Sequence, residues 1–352
     1  MNAKKDKMVQ YEKRTIHHIQ YHLLANQIDE LIQKLGKDQL LQSLNQMLLI
    51  RQFELRAESA YQHGKIGGFF HSYIGQEAIQ TAAVHAMGTE KHWWITTYRC
   101  HGLALLLGAT PEEMMAELYG KVTGNTKGRG GSMHMYTNRM LGGFGIVGGH
   151  LPIATGAAFT IKYTKQGGIA ICFLGEGAFA QGAVHESLNL ASLWNLPCIY
   201  VIENNHWGMG TAVNRAICTQ PIAEHFAKAY NIRSYTLNGM DFLSCYGGFT
   251  HAYNEICNTK CPILIEVMTE RFCGHSISDP GFYRSKEELN QIKLQDPILL
   301  FSNQLKKHHI LTDQEYEEMK DKQKKQILFA MQYADESPTP SHTTLEEDVF
   351  AP

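Results

Sequence analysis

The sequence has no surplus of positive charge. Its 32 Lys and Arg stand against 34 Asp and Glu, a formal net charge of −2. Without a basic field to hold a phosphate backbone, a dedicated nucleic-acid binder is not expected. It has no run of 18 apolar residues, so no membrane-spanning helix is expected either. The eight cysteines form no CxxC pair. Only Cys257 and Cys261 come as close as CxxxC, a weak metal signal, and the set reads as reduced thiols of a reducing compartment. The start, MNAKKDKMVQYEKRT, lacks the apolar stretch of a secretion signal. With Asp6, Glu12 and a single Arg it makes a poor mitochondrial transit peptide, so the cytoplasm is the expected location. No internal repeat is visible. What is there is 44% apolar and 19% charged over 352 residues. That composition fits a compact protein with a large core, of a size for about two domains or one large α/β domain.

Three segments follow from composition and period. Residues 1–37 are expected to form a peripheral helical arm, with Ile19, Leu23, Ile28, Leu31 and Ile32 on an amphipathic pattern. Residues 38–333 are expected to be one α/β domain, and 334–352, with five acids and three prolines, an acidic tail running as a surface strap. Within the domain, Leu40, Leu44, Met47, Leu48 and Phe53 keep a helical period. A further helix is expected after Thr110, where Thr caps, Pro111 opens the first turn and Glu112 and Glu113 face the helix dipole. Residues 120–150 are glycine-rich and without period; long irregular segments inside a compact chain are usually functional. Beyond them, IAICFL (169–174), CIYVI (198–202), IRSYTL (232–237) and PILIEVM (262–268) read as buried strands alternating with helices, one from about Gln181 and another capped by Asp241. This series predicts a doubly wound, mostly parallel sheet with helices on both faces. Residues 285–333 read as two charged helices.

In open α/β sheets ligands bind at the carboxyl ends of the strands. The first buried strand runs into Gly175-Glu176-Gly177-Ala178-Phe179-Ala180, whose glycines admit a phosphate and whose following helix offers its N-terminus. This G-x-G-x-x-A matches a dinucleotide fingerprint, with Glu203 ending the next strand where an acid would hold a ribose. It also matches a tight strand-to-helix turn with no ligand. The next strand continues Glu203-Asn204-Asn205-His206-Trp207-Gly208, and paired amides there favour a diphosphate carried on Mg²⁺. That ion wants six oxygens at about 2.0–2.1 Å, from carboxylate, amide and backbone groups and the phosphates themselves. The two turns lie one βαβ unit apart, about the ~30 residues such a unit needs.

A G-D-G followed some thirty residues later by N-N is the signature of enzymes that bind thiamine diphosphate. The likeness extends to GGFFHSYIGQEAI (67–79), TTYRCHG (96–102), KGRGGSMHMY (127–136), GGFGIVGG (142–149), GAVHESLNLASLWNLPCIYVIENNHWGMGT (182–211) and RFCGHSISDPGFYRS (271–285). In motif order and spacing, residues 40–300 resemble the alpha subunits of the pyruvate dehydrogenase first component, within the thiamine diphosphate-dependent 2-oxo acid dehydrogenases. The resemblance implies a thiamine diphosphate-binding fold and oxidative decarboxylation of pyruvate, with the acetyl group passed to a lipoyl-bearing acyltransferase. It also implies a heterotetramer of two alpha and two beta subunits, the beta subunit supplying the glutamate that activates the cofactor's aminopyrimidine.

Carried over residue by residue, the resemblance puts Tyr98 and Arg99 at the cofactor diphosphate. It puts the backbone of Gly145 and Val147 at the aminopyrimidine, and Gly177 and Ala178 at the phosphate turn. Glu176, Asn205 and the carbonyl of Trp207 become Mg²⁺ ligands, Arg271 and His275 lie near the diphosphate, and His71 near the substrate. His71 and His275 are the candidates for proton work, with near-neutral pKa values expected. Two positions depart from the family: Glu176 replaces its aspartate, and Cys273 replaces the first histidine of H-G-H-S. They motivate a second reading, a catalytically silent scaffold subunit. Among active relatives, acetoin-cleaving subunits usually carry a histidine at Tyr98, and branched-chain subunits usually lack His71. A nicotinamide dehydrogenase is disfavoured by Asn204-Asn205.

Other residues have plainer expectations. His17, His18, His308 and His309 are expected on the surface. Glu77, Glu186 and His134 are expected to be structural, and Trp93-Trp94 to be core or interface. Ser276 and Ser278 resemble a phosphorylation site of eukaryotic relatives, where an added phosphate would repel the cofactor.

Overall fold

In the computed structural model, residues 17–347, 349 and 350 are described. Residues 1–16 of the expected arm lie outside the described residues. The strands are β1 (His18–Gln20), β2 (Trp93–Thr97), β3 (Met140–Phe144), β4 (Ala170–Gly175), β5 (Cys198–Asn204), β6 (Trp207–Gly208), β7 (Thr211–Ala212), β8 (Arg233–Asn238) and β9 (Ile263–Met268). The helices are α1 (Ala25–Gln62), α2 (Glu77–Met87), α3 (His101–Leu106), α4 (Pro111–Leu118), α5 (Leu151–Thr164) and α6 (Gly182–Leu193), then α7 (Val213–Ala216), α8 (Ile222–Ala229), α9 (Phe242–Thr259), α10 (Lys286–Lys293), α11 (Pro297–Lys307) and α12 (Asp313–Glu336).

Seven strands form one sheet in the order β1-β8-β9-β5-β4-β2-β3, every pair parallel. The doubly wound expectation holds. Apolar residues alternate between two cores, as a parallel sheet covered on both faces requires. Ile171, Phe173, Ile199 and Val201 point into the larger core with α1–α4, α9, α11 and α12. Cys172, Leu174, Tyr200 and Ile202 point into the other, with α5–α8.

Local signals set the helix starts. Thr110 Oγ1 accepts from the Glu113 amide and the Glu113 side chain returns to Thr110, with Pro111 in the first turn. Asp241 accepts from the Ser244 amide. At Gly36 the chain takes φ +71° and kinks α1.

Four elements differ from the sequence reading. The segment with Ile19 is not helical there; β1 pairs with β8 at the sheet edge. The expectation of core or interface for Trp93-Trp94 holds at Trp94, which is fully buried, but the two lie on β2, a strand the pattern does not predict. Inside the glycine-rich stretch lies β3, an edge strand whose Gly143 is forced by close approach: a Cβ there would meet Cys100 Sγ and the Met133 carbonyl at 2.6 Å. Residues 285–333 hold three helices, because Asp296 accepts from the Ile298 amide and Pro297 restarts the chain as a new helix. The tail makes a short 3-10 turn at His342–Thr344.

Consecutive connections diverge between β2 and β4. The chain leaves β2 for α3 and α4 on the larger-core face, and leaves β4 for α6 on the other. Because β2 and β4 are neighbours, the crevice at their carboxyl ends is a topological switch point, where such sheets bind ligands.

Candidate active site

A cavity of about 630 Å³ opens at that switch point. Each strand end delivers part of its wall: Tyr98 and Arg99 follow β2, Gly145 and Val147 follow β3, and Glu176, Gly177 and Ala178 follow β4. Asn205 and Trp207 follow β5, Arg271 and His275 follow β9, and His71 reaches in from the segment before α2. The structure thus brings all twelve singled-out residues to one wall.

Glu176 and Asn205 sit on adjacent strand ends, in the register that pairs Gly175 with Glu203. The Asn205 amide donates to Glu176 Oε2 at 3.3 Å, Asn205 Nδ2 donates to Gln76 Oε1 at 3.1 Å, and the Trp207 amide donates to Asn205 Oδ1 at 3.3 Å. Asn204 turns away. Its Nδ2 donates to Glu266 Oε1 at 2.7 Å and its Oδ1 accepts from the His206 amide, so it shapes the turn. The glycine turn after β4 touches the β6–β7 hairpin: a Cβ on Gly177 would lie 3.3 Å from Gly208 Cα. A side chain at Gly177 would push this facing backbone back by a few tenths of an ångström.

Two buried guanidiniums dominate the electrostatics. Arg99 donates to the carbonyls of Ser72 and His275, both at 2.6 Å. Arg271 donates to the Cys273 carbonyl at 3.1 Å and the Tyr283 hydroxyl at 2.6 Å. Neither forms an ion pair with a carboxylate among the described residues, although both are at least 95% buried. Buried cations without a counter-charge are costly and mark a place for an anion. The facing carboxyls are pushed the other way. Burial raises Glu176 above the usual carboxylate range, and burial lifts Glu203 to about 7 despite its hydrogen bond from Tyr73.

The two histidines do not match their expected near-neutral titration. His71 is held down to about 3, first by burial and then by Arg99. His275 is held down to about 4, first by burial and then by Arg99 and Arg271. At neutral pH both rings are uncharged. They pack with Tyr98, ring centroids 4.4 Å from His71 to Tyr98 and 5.2 Å between the histidines. His71 Nδ1 and Gln76 Nε2 are buried without a hydrogen-bond partner among the described residues.

The sequence reading passes over Gln76 as a site residue and offers Glu203 only as a ribose-holding acid. Gln76 stands in the quoted GQEA stretch, but its partner Asn205 is 129 residues away. Glu203 was visible as the acid ending a strand. Other expectations resolve simply: Glu77 is buried in an ion pair with Arg51, Glu186 and His134 are exposed, and Cys273 is half-buried. His17 and His309 are exposed, whereas His18 and His308 are only partly so.

Among the described residues no group of three or more His, Cys, Asp or Glu could hold a metal. The donors here are one carboxylate, one amide and backbone oxygen, a set that suits a hard cation sharing phosphate oxygens rather than zinc. Among the described residues no helix is long and apolar enough to cross a membrane, and all eight cysteines are free.

The chain is similar to known proteins over most of its length. The profile of the family described as "Dehydrogenase E1 component" matches residues 45–343. The chain is 39% identical over 316 residues to the pyruvate dehydrogenase E1 component subunit alpha of Rickettsia felis, covering 89% of this chain and 96% of that one. It is 38% identical over 320 residues to the same subunit of Zymomonas mobilis, 89% of each. It is 37% identical over 329 residues to the mitochondrial subunit of Kluyveromyces lactis, covering 92% of this chain and 79% of that one.

Proposed function

The chain belongs to the dehydrogenase E1 component family, and from that premise we propose that it is the alpha subunit of a thiamine diphosphate-dependent pyruvate dehydrogenase. With a beta subunit, in a heterotetramer of two of each, it decarboxylates pyruvate oxidatively and passes the acetyl group to a lipoyl-bearing acyltransferase. The observation that carries the reading is the pair Arg99 and Arg271, buried without carboxylate partners among the described residues, beside Glu176 and Asn205. A diphosphate brings the missing negative charge, and a bound Mg²⁺ converts the strained burial of Glu176 into a favourable contact.

When bound, thiamine diphosphate supplies the nucleophilic carbon and the electron sink that loss of carbon dioxide needs. The chain's own residues bind and orient. Arg99 and Arg271 would meet the diphosphate with their charge and with the N–H groups that their bonds to Ser72, His275, Cys273 and Tyr283 leave over. Glu176, Asn205 and the Trp207 carbonyl hold Mg²⁺. The turn at Gly177 and Ala178 offers backbone amides to phosphate, and the backbone at Gly145 and Val147 faces the aminopyrimidine. His71 and His275, neutral in a tight aromatic cluster with Tyr98, donate hydrogen bonds to the substrate rather than standing as cations.

The beta subunit follows from what the wall lacks. Glu176 and Glu203 are its carboxyls, both tied to the phosphate end. Phe69 and Met209 on the cavity wall and neighbouring Ile146 are 66%, 64% and 76% exposed. An apolar rim of this kind calls for a protein cover. The free thiols support a cytoplasmic setting.

The deciding experiment assays the chain alone and co-purified with its beta partner, against pyruvate, branched-chain 2-oxo acids and acetoin, with a dye as acceptor. Pyruvate turnover by the pair alone is expected. Turnover by the isolated chain removes the shared site, preference for acetoin or a branched acid removes the substrate assignment, and no metal-dependent binding of thiamine diphosphate leaves a scaffold subunit.

A second expectation concerns the histidines. Burial and then guanidinium charge hold both rings down, and a bound diphosphate offsets part of the second cause, so both imidazoles gain affinity for protons. In histidine NMR titrations of the free chain the two rings protonate near 3 and 4. Added thiamine diphosphate with Mg²⁺ moves both upward. A downward or null movement contradicts the electrostatic account.

A further inference from the structure

The glycine-rich loop 122–136 is held from two sides that differ in kind. From beneath, Glu117, fully buried at the end of α4, accepts from Thr126 Oγ1 at 2.5 Å, and from the amides of Thr126, Gly130, Gly128 and Gly131 at 2.7, 2.8, 2.9 and 3.0 Å. Beside it Ser132 Oγ meets His101 Nε2 at 2.9 Å, and His101 Nδ1 lies 3.0 Å from Glu54, all buried. These anchors are out of reach of solvent.

From outside, the loop is gripped by the tail. The Val122 amide donates to the Pro338 carbonyl at 3.0 Å. Arg129 reaches over the tail's last turn and donates to the carbonyls of Thr344 at 2.8 Å and Glu347 at 2.9 Å. The Glu347 carboxylate lies 3.7 Å from Arg129 and 3.8 Å from Lys127, on side chains 36–51% exposed. Exposed pairs of this kind are weak singly and screened by salt.

The loop is also the back of the cavity wall. Met133 lines the cavity, the Gly143 amide donates to the Met135 carbonyl at 2.9 Å, and a Cβ on Gly145 would stand 3.4 Å from His134 Nε2. A shift of residues 129–135 therefore displaces the Gly143–Gly145 backbone.

We propose that residues 341–347 are a detachable latch on this wall: by clamping Arg129 they keep the glycine-rich loop seated behind Gly145, and their release loosens the ligand pocket. Arg129 is then a positioning residue, acting through the loop. The consequence for cofactor binding rests on the function proposed above; the latch itself does not.

The test uses the full chain, a chain ending at Pro340, which keeps the Pro338 contact, and the milder variant Glu347→Ala. Trypsin cuts after Lys and Arg, so Lys127 and Arg129 report directly on the clamp. Cleavage there is expected to be at least tenfold faster in the shortened chain and about threefold faster in Glu347→Ala. The Glu347→Ala difference should vanish in 0.5 M salt, with melting temperatures close to that of the full chain. Amide exchange at Gly143 should quicken in the shortened chain, and its affinity for thiamine diphosphate should fall about five- to tenfold. Unchanged cleavage and unchanged Gly143 exchange overturn the latch. Faster cleavage with unchanged cofactor affinity overturns its hold on the pocket. A full-length chain that binds no cofactor fails the functional reading instead, and cleavage and exchange then decide the latch alone.

Discussion

Arg99→Met should weaken thiamine diphosphate binding about 100-fold, while the free chain melts within a few degrees of wild type. Arg99 brings a desolvated charge to the cavity and has no carboxylate partner among the described residues to lose. A charged hydrogen-bonded contact to phosphate contributes about 1.5–3 kcal/mol, and the upper end of that range is about 100-fold. In the free chain the effects oppose each other. Methionine strands the carbonyls of Ser72 and His275, about 1–3 kcal/mol each, but relieves a buried cation whose own pKa is already lowered, mainly by burial. Arg99→Lys keeps the charge but not the fork that spans two carbonyls, so it should recover only part of the affinity. Calorimetric titration in Mg²⁺, with a melting curve of each free protein, checks this. A variant that loses ten or more degrees and binds within threefold of wild type would show Arg99 to be a structural cross-link.

The strand ends were legible because each functional turn follows an uninterrupted apolar run. IAICFL leads into Gly175-Glu176-Gly177, and CIYVI into Glu203-Asn204-Asn205. Buried parallel strands have to be apolar on both faces, so polar residues appear where the strand leaves the sheet. The other half of the wall hides that boundary. In β2, Trp93, Trp94 and Ile95 run straight into Thr-Thr-Tyr-Arg, and β3 carries two glycines, Gly143 because Cys100 and Met133 leave no room for a side chain and Gly142 because its φ is +123°. Local pattern identified a glycine-rich anomaly there but not a strand, and the assignment of Gly145 and Val147 came from resemblance.

The titration of His71 and His275 was illegible for a different reason. It depends first on burial and then on Arg99 and Arg271, which arrive from β2 and β9, far apart in sequence and brought together at the carboxyl edge. Gln76 and Glu203 fall in the same class. Their polarity is explained by Asn205 and Tyr73 across the sheet edge, so no window of sequence contains both partners. Residue types at the site could be read along the chain; their charge states required the fold.

Glu176→Gln should separate binding from stability in opposite directions. In the free chain Glu176 is 2% exposed, and burial raises its pKa. The folded state therefore holds this proton to higher pH than the unfolded state does. Stability is lost as pH rises from the ordinary carboxyl range through the folded value. Glutamine keeps the shape and the contact with the Asn205 amide without the charge. Its melting temperature should thus draw level with wild type in the ordinary carboxyl range and exceed it as pH rises through the folded value. Cofactor binding should move the other way. Mg²⁺ loses its one carboxylate, leaving an amide and a backbone oxygen, and affinity for thiamine diphosphate in Mg²⁺ should fall about 100-fold, to the level wild type shows in chelator. Glu176→Asp, which restores the family's residue, draws the carboxylate back by one methylene from the Asn205 amide, and should bind in Mg²⁺ within tenfold of wild type. Should Glu176→Gln bind the cofactor with Mg²⁺ as tightly as wild type, the ion is not held at the junction of β4 and β5. The buried carboxylate would then need another explanation.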